Sequence, residues 1–343
     1  MNLNRRARRV GLAVIAWAMV LRLYDAGAFR WAAEQLTKPD TAALLLLLET
    51  GHRKEAAEGW DFSFLPESAA PAFASQPLPE TGETPPRDTA ETAPETESPP
   101  AANAVSVYYA CSLRPDIEGL LAQPLTLDLS GDGPAVLILH THATESYTKD
   151  GESYKETAAY RTLDENYNML SIGAEVVRLL EAGGVQTIQD RSLHDYPSYN
   201  GSYSDARKSI RKYLEEYPTI RLVLDLHRDA ADTPSGQLRT LAATDAGDCA
   251  QLMLVMGSSA AGLRHPGWEQ NLSLALKLQA LLERENPGIT RSTILRAQRF
   301  NQDLSPGCLL VEVGAAGNTH EEALRAADAL AAGILALAAE NSP

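Results

Sequence analysis

Five short runs of branched apolar residues recur along the C-terminal part of the chain: Ala135 to Leu139 (AVLIL), Val185 to Ile188, Leu222 to Leu226 (LVLDL), Gln251 to Met256 (QLMLVM) and Cys308 to Val313 (CLLVEV). They are too short for helices, and they lack the strict alternation of a strand with one wet face. Between them lie stretches with helical spacing: Asn168 to Glu181, ending at Gly183-Gly184, Tyr203 to Tyr217, Asn271 to Glu285, ending near Pro287, and His320 to Ala339. Strands interleaved with long helices predict an α/β fold, a mostly parallel central sheet with helices on both faces, over residues 105–343.

The chain ahead of that domain has a different texture. Arg5, Arg6, Arg8 and Arg9 precede the apolar run Val10 to Leu21, the order of charges and apolar residues in an export signal. Extended past Arg22, which can reach the interface, to Phe29, the run is long enough to span a bilayer. No A-x-A cleavage site follows, so residues 1–30 are expected to be a retained N-terminal membrane anchor. The arginines stay cytoplasmic and the rest of the chain lies outside the cell membrane, single-pass. A buried or amphipathic helix is the less favoured alternative, because four arginines flush against an uncharged run are uncommon in cores. A second leucine-rich stretch, Thr41 to Leu48, is too short to span and marks residues 31–60 as a short membrane-proximal helical segment.

Residues 61–104 are expected to be a disordered acidic linker rich in Pro, Glu and Thr. They hold nine of the 20 prolines and eight carboxylates against one cation, Arg87, so that about −7 of the net charge of −15 lies there. The acidity is therefore mostly not a property of the folded part, and it argues against nucleic acid as a partner of that stretch. Cys111, Cys249 and Cys308 are odd in number and have no ligand spacing, so neither a disulfide framework nor a cysteine metal site is expected.

Candidate chemistry gathers where the strands end, the place at which open α/β sheets bind ligands. The first run ends in His140-Thr141-His142-Ala143-Thr144-Glu145. The third ends in Asp225-Leu226-His227-Arg228-Asp229, and the last carries Glu312 just before Gly314. Three of the seven histidines thus sit at two strand ends with carboxylates nearby. Catalytic zinc typically takes three protein ligands drawn from His and Asp or Glu and leaves one position open for water, with a further carboxylate to move the proton. A single histidine after an apolar run is more often a hydrogen-bonded core residue than a ligand, and Asp225 or Asp229 can simply pair with Arg228. A carboxylate inside LLVEVG is harder to explain away, because burying it is costly unless it is paired or associated with a metal.

Several segments also carry a family resemblance: VLILHTHATESY (Val136 to Tyr147), NMLSIGAEVVRLLEAGGV (Asn168 to Val185), HDYPSYNGSYSDAR (His194 to Arg207), LVLDLHRDA (Leu222 to Ala230) and FNQDLSPGCLLVEVGAAGNTHEEA (Phe300 to Ala323). In order and in content they resemble stage II sporulation protein P, a family of membrane-anchored cell-wall hydrolases of endospore-forming bacteria. That family is similar in fold to the zinc-dependent N-acetylmuramoyl-L-alanine amidases. The resemblance implies a zinc-dependent amidase that acts on peptidoglycan stem peptides during engulfment, with a second, endopeptidase activity and with sporulation proteins D and M as partners. Carried over residue by residue, it makes His142 and His227 zinc ligands and Glu312 the catalytic glutamate. The middle ligand is Glu145 or Asp164, and His140 is an alternative to His142. Arg228 becomes a candidate catalytic residue that binds a stem-peptide carboxylate or the developing oxyanion. Asn301, Gln302 and Asp303, and Tyr147, Tyr154, Tyr196, Tyr199 and Tyr203, become candidate groove residues. A non-catalytic wall-binding module and an extracytoplasmic metallopeptidase with another substrate are the rival readings.

Overall fold

The computed structural model describes residues 105–125, 127–233 and 236–341, all within the second of the two units into which the chain divides, Asp61–Pro343. The expected membrane anchor, membrane-proximal segment and acidic linker lie outside the described residues. Among the described residues no helix is long and apolar enough to cross a membrane.

In chain order the elements are β1 (Val107–Tyr109), α1 (Ile117–Ala122), β2 (Val136–Leu139), β3 (Glu156–Ala158), β4 (Arg161–Thr162), α2 (Met169–Ala182), β5 (Thr187–Gln189), α3 (Ser202–Glu216) and β6 (Leu222–Asp229). There follow β7 (Asp232–Thr233), β8 (Gly236–Gln237), β9 (Leu241–Thr244), β10 (Gly247–Ala250), β11 (Leu252–Met256), α4 (Trp268–Glu285), β12 (Thr293–Leu295), a 3-10 turn (Gln302–Leu304), β13 (Cys308–Ala315) and α5 (His320–Asn341). Seven strands form the central sheet in the order β1-β12-β11-β13-β6-β2-β5. Every neighbouring pair is parallel except β11 with β13. The sheet is thus two parallel blocks that meet antiparallel at β11 and β13.

All five apolar runs become strands of this sheet. β2 is buried at all four positions and β6 at seven of eight, as strands covered on both faces must be. The second run enters the sheet at Thr187 rather than Val185, because the end of α2 uses the intervening backbone. The amides of Gly184 and Val185 return to the carbonyls of Glu181 and Leu180, with Gly184 at a φ of 85°. Such a helix-closing turn needs a residue that tolerates positive φ. At the other end of α2, Asn168 caps the helix by accepting the Leu170 amide at 3.0 Å.

Alternation of side chains divides the core in two. Val136, Ile138, Leu222, Leu224 and Leu226 pack with α2, α4 and α5 in the larger cluster. Leu137, Leu139 and Val223 face the other way, against Ala206 and Ile210 of α3. Beside them Phe300 packs with Met253, Val255 and Leu310. Helices do cover both faces, but unevenly, and the α3 face is where the ionisable strand ends emerge.

Candidate metal centre

Register places three of these residues side by side. Leu139 and Leu310 both pair with Asp225, and Glu312 pairs with His227. Because side chains alternate, Asp225, His227 and Glu312 share the face that Val223 gives to α3. Beyond Glu312 the pairing shifts register before Ala315, and Gly314 takes a φ of 69°. β2 stops at Leu139 and the chain turns, which brings the His142 ring edge-on to His227 with centroids 5.2 Å apart. Glu145 then forms a bridge with Arg161 and directs its carboxylate inward, so that Oε2 lies 3.7 Å from His227 Nδ1. His142, Glu145 and His227 are 6%, 5% and 3% exposed.

The two histidines of the first strand end have different fates. His140 faces Leu226 O with Nδ1, at 3.2 Å, and the Gln189 amide nitrogen with Nε2, at 3.1 Å. Both ring nitrogens are therefore occupied, and burial holds its pKa down at about 4. His142 Nδ1 is buried without a partner, and the ring stacks on Tyr199 with centroids 4.5 Å apart and crosses Tyr203 edge-on. Burial and the neighbouring His227 hold the His142 pKa well below the ordinary value. Asp164 takes no part: its Oδ1 accepts the backbone and side-chain N–H groups of Asn166 in a turn. Of the two candidates for the middle ligand, Glu145 is the one that the fold brings to His227.

Electrostatically the cluster is rich in carboxylates. Burial would lower the His227 pKa, but Asp225, Glu145 and Glu312 outweigh it and raise the value to about 9. Burial, followed by Asp229 and Glu145, raises Glu312 to about 8 against the opposing pull of His227. Glu312 Oε2 is buried without a partner. Arg161 answers part of the charge, at 3.3 Å from Glu145 and 2.8 Å from Asp195, with its guanidinium 4.9 Å over the Tyr199 ring.

Some expected residues serve elsewhere. Arg228 points to the opposite side of β6 from His227. Its guanidinium donates to the carbonyls of Ser146 and Tyr160, each at 3.0 Å, and its backbone N–H to Glu145 Oε2 at 3.3 Å. These contacts make it a clamp on the segment carrying Glu145. Nor does it pair with Asp229, which binds Arg291 at 2.6 Å. Asn301, Gln302 and Asp303 brace the scaffold instead of lining a groove. Asn301 donates to Tyr203 O at 2.8 Å, Gln302 binds the backbone of Gly257 and Val255, and Asp303 holds Arg207 through both oxygens. Tyr147 and Tyr154 are buried; Tyr199 and Tyr203 lie against the histidines, and Tyr196 is exposed.

A family model for Stage II sporulation protein P (SpoIIP) matches residues 54–335. The chain belongs to that family. The stage II sporulation protein P of Bacillus subtilis is 27% identical over 215 residues, 59% of this chain and 50% of that protein. The match spans about half the length of that relative. Among solved structures, the CwlD amidase of Clostridioides difficile, in complex with the GerS lipoprotein, is 14% identical with a TM-score of 0.39, covering 60% of this chain and 99% of that one. An N-acetylmuramoyl-L-alanine amidase of Nostoc punctiforme is 16% identical with a TM-score of 0.36, covering 60% and 98%.

As the side chains stand, no group of three or more His, Cys, Asp or Glu among the described residues is drawn together tightly enough to hold a metal ion. The donor chemistry nevertheless fits zinc: two imidazoles and a carboxylate lie at adjacent strand ends, with His142 Nδ1 and Glu312 Oε2 buried and unanswered. A divalent cation would offset the carboxylate charge that raises the His227 pKa and adds to the burial that raises Glu312.

Proposed function

We propose that this protein is a membrane-anchored, zinc-dependent peptidoglycan hydrolase of sporulation, an amidase that cuts the bond between N-acetylmuramic acid and the L-alanine of the stem peptide. Membership of the sporulation family supports the process and the substrate class. One observation carries the chemistry: a glutamate, Glu312, whose Oε2 is buried without a partner, registered beside His227 in a cluster with His142 and Glu145.

In this reading His142, Glu145 and His227 would hold the ion. Zinc, when bound, supplies a Lewis acid for the scissile carbonyl and lowers the pKa of water toward neutrality. Glu312 takes a proton from the attacking water at its carboxylate and returns it to the departing nitrogen as the amide C–N bond breaks and a C–O bond forms. Burial places Glu312 near the range in which a carboxyl group exchanges a proton at neutral pH. Arg161 and Arg228 keep the Glu145 segment in place. Tyr199 and Tyr203 wall the histidines from bulk water. The arginine-flanked apolar run at the N-terminus supports placing the enzyme on the outer side of the cell membrane.

Glu312→Gln is the test. Full-length protein carrying it should retain zinc and lose wall hydrolysis by about 100-fold or more, the usual contribution of a general acid-base group. Hydrolysis within a few-fold of the parent would overturn the mechanism.

A further inference from the structure

Asp225 is not among the donors, yet it is the carboxylate most firmly built into the site. Its Oδ1 accepts the Thr141 backbone N–H at 2.8 Å, and its Oδ2 accepts the Thr141 hydroxyl at 2.6 Å. Oδ1 also lies 3.0 Å from His227 Nε2, off the N–H axis, so that the contact is electrostatic rather than an aligned hydrogen bond. No lysine or arginine among the described residues pairs with Asp225. The carboxylate therefore serves one imidazole and one turn. The opposite edge of that imidazole presents Nδ1 to Glu145, and Thr141 is the residue immediately before His142. Asp225 thus ties the turn that carries one candidate ligand to the strand that carries another.

We propose that Asp225 is a positioning residue: from its place 3.0 Å from His227 Nε2 it accepts the Nε2 proton once zinc is bound, keeps Nδ1 turned toward Glu145, and is itself fixed by Thr141. This role rests on zinc being held at the cluster. Outer carboxylates that accept the free N–H of a ligating histidine set its tautomer and ring orientation, and their loss typically weakens metal binding by about 10–100-fold. A carboxylate that merely braced the fold would leave the affinity of the folded protein unchanged and would have no say in which nitrogen binds.

The experiment uses full-length protein and zinc in competition with a chromogenic chelator, for the parent, Asp225→Asn and Thr141→Val. It is paired with nitrogen-15 NMR of histidine-labelled, zinc-loaded parent. Zinc affinity should fall about 10–100-fold in Asp225→Asn and by less, but measurably, in Thr141→Val. The parent spectrum should show His227 bound through Nδ1 with its proton on Nε2. Unchanged affinity in a folded Asp225→Asn, or His227 bound through Nε2, overturns the positioning role while leaving zinc in place. A parent that takes up no zinc overturns both this role and the amidase reading. The spectrum needs no variant, so the proposal stands or falls even where Asp225→Asn does not fold.

Discussion

His140 and His142 are two residues apart and meet opposite surroundings. Removing the His140 ring leaves a cavity, takes the side-chain partner from the Leu226 carbonyl, and leaves the Gln189 amide with only the Leu170 carbonyl. His140→Ala should therefore cost about 2–4 kcal/mol in urea unfolding while zinc content is kept. His142→Ala should do the reverse, losing zinc and wall hydrolysis with the smaller effect on stability. The opposite pattern would exchange their roles. Arg228→Ala should lower stability by about 1–3 kcal/mol, because it removes the donors to the carbonyls of Ser146 and Tyr160, of which Tyr160 keeps the Ser146 amide; an unchanged unfolding midpoint would refute the clamp. At this scale much of the site was legible. His142, Glu145, His227 and Glu312 announce themselves as ionisable residues at the ends of apolar runs. Arg161 and Asp195 gave no such signal: they come from turns distant in sequence and gain meaning only once the fold has placed them beside Glu145 and Thr144. The direction of Arg228 was not legible, for a simple reason. Its neighbour in sequence faces the site, and alternation along a strand turns it away.

Elements turn those residues into a site through register. β13 must lie against β6 in one alignment for Glu312 to stand beside His227. Gly307 sets the entry to that pairing: the Val223 amide donates to its carbonyl at 2.8 Å, and a Cβ there would run into the Arg221 carbonyl oxygen. Gly307→Ala should destabilise by about 1–3 kcal/mol and reduce hydrolysis with it, since the strands must part to admit the methyl group. Chemical denaturation and an activity assay check both; a neutral substitution would mean that the entry is looser than described. The long helices and five strands were legible because each carries a periodic or continuous apolar signal. β1 and β12, of three residues each, were not, since so short a segment shows no period and gains its identity from pairing. The antiparallel joint between β11 and β13 was equally hidden, because an apolar run does not encode its direction.

For the domain as a whole, acid should be the main chemical threat. Asp190, Asp303 and Glu322 lie far apart in sequence. In each, burial would raise the pKa, but His194 and Ser192, Arg207, and Arg239 with Asn318, respectively, outweigh it and hold the value below the ordinary one. A depressed folded-state pKa contributes stability that is present above the unfolded values of about 4 and is lost as pH falls through the folded one. The urea midpoint should therefore drop between about pH 5 and pH 3, less steeply in Asp303→Asn. A midpoint flat across that range would show that these pairs contribute nothing. The net charge of −15, by contrast, says little about the site, since nearly half of it belongs to the acidic tract of residues 61–104. Function turns on which bond is cut. Mass spectrometry of purified peptidoglycan digested by the full-length protein decides it most directly. The account predicts stem peptides released with a free L-alanine amine, absent after chelation and restored by zinc. Products that keep the muramic acid to L-alanine bond, or the same release without metal, would contradict it.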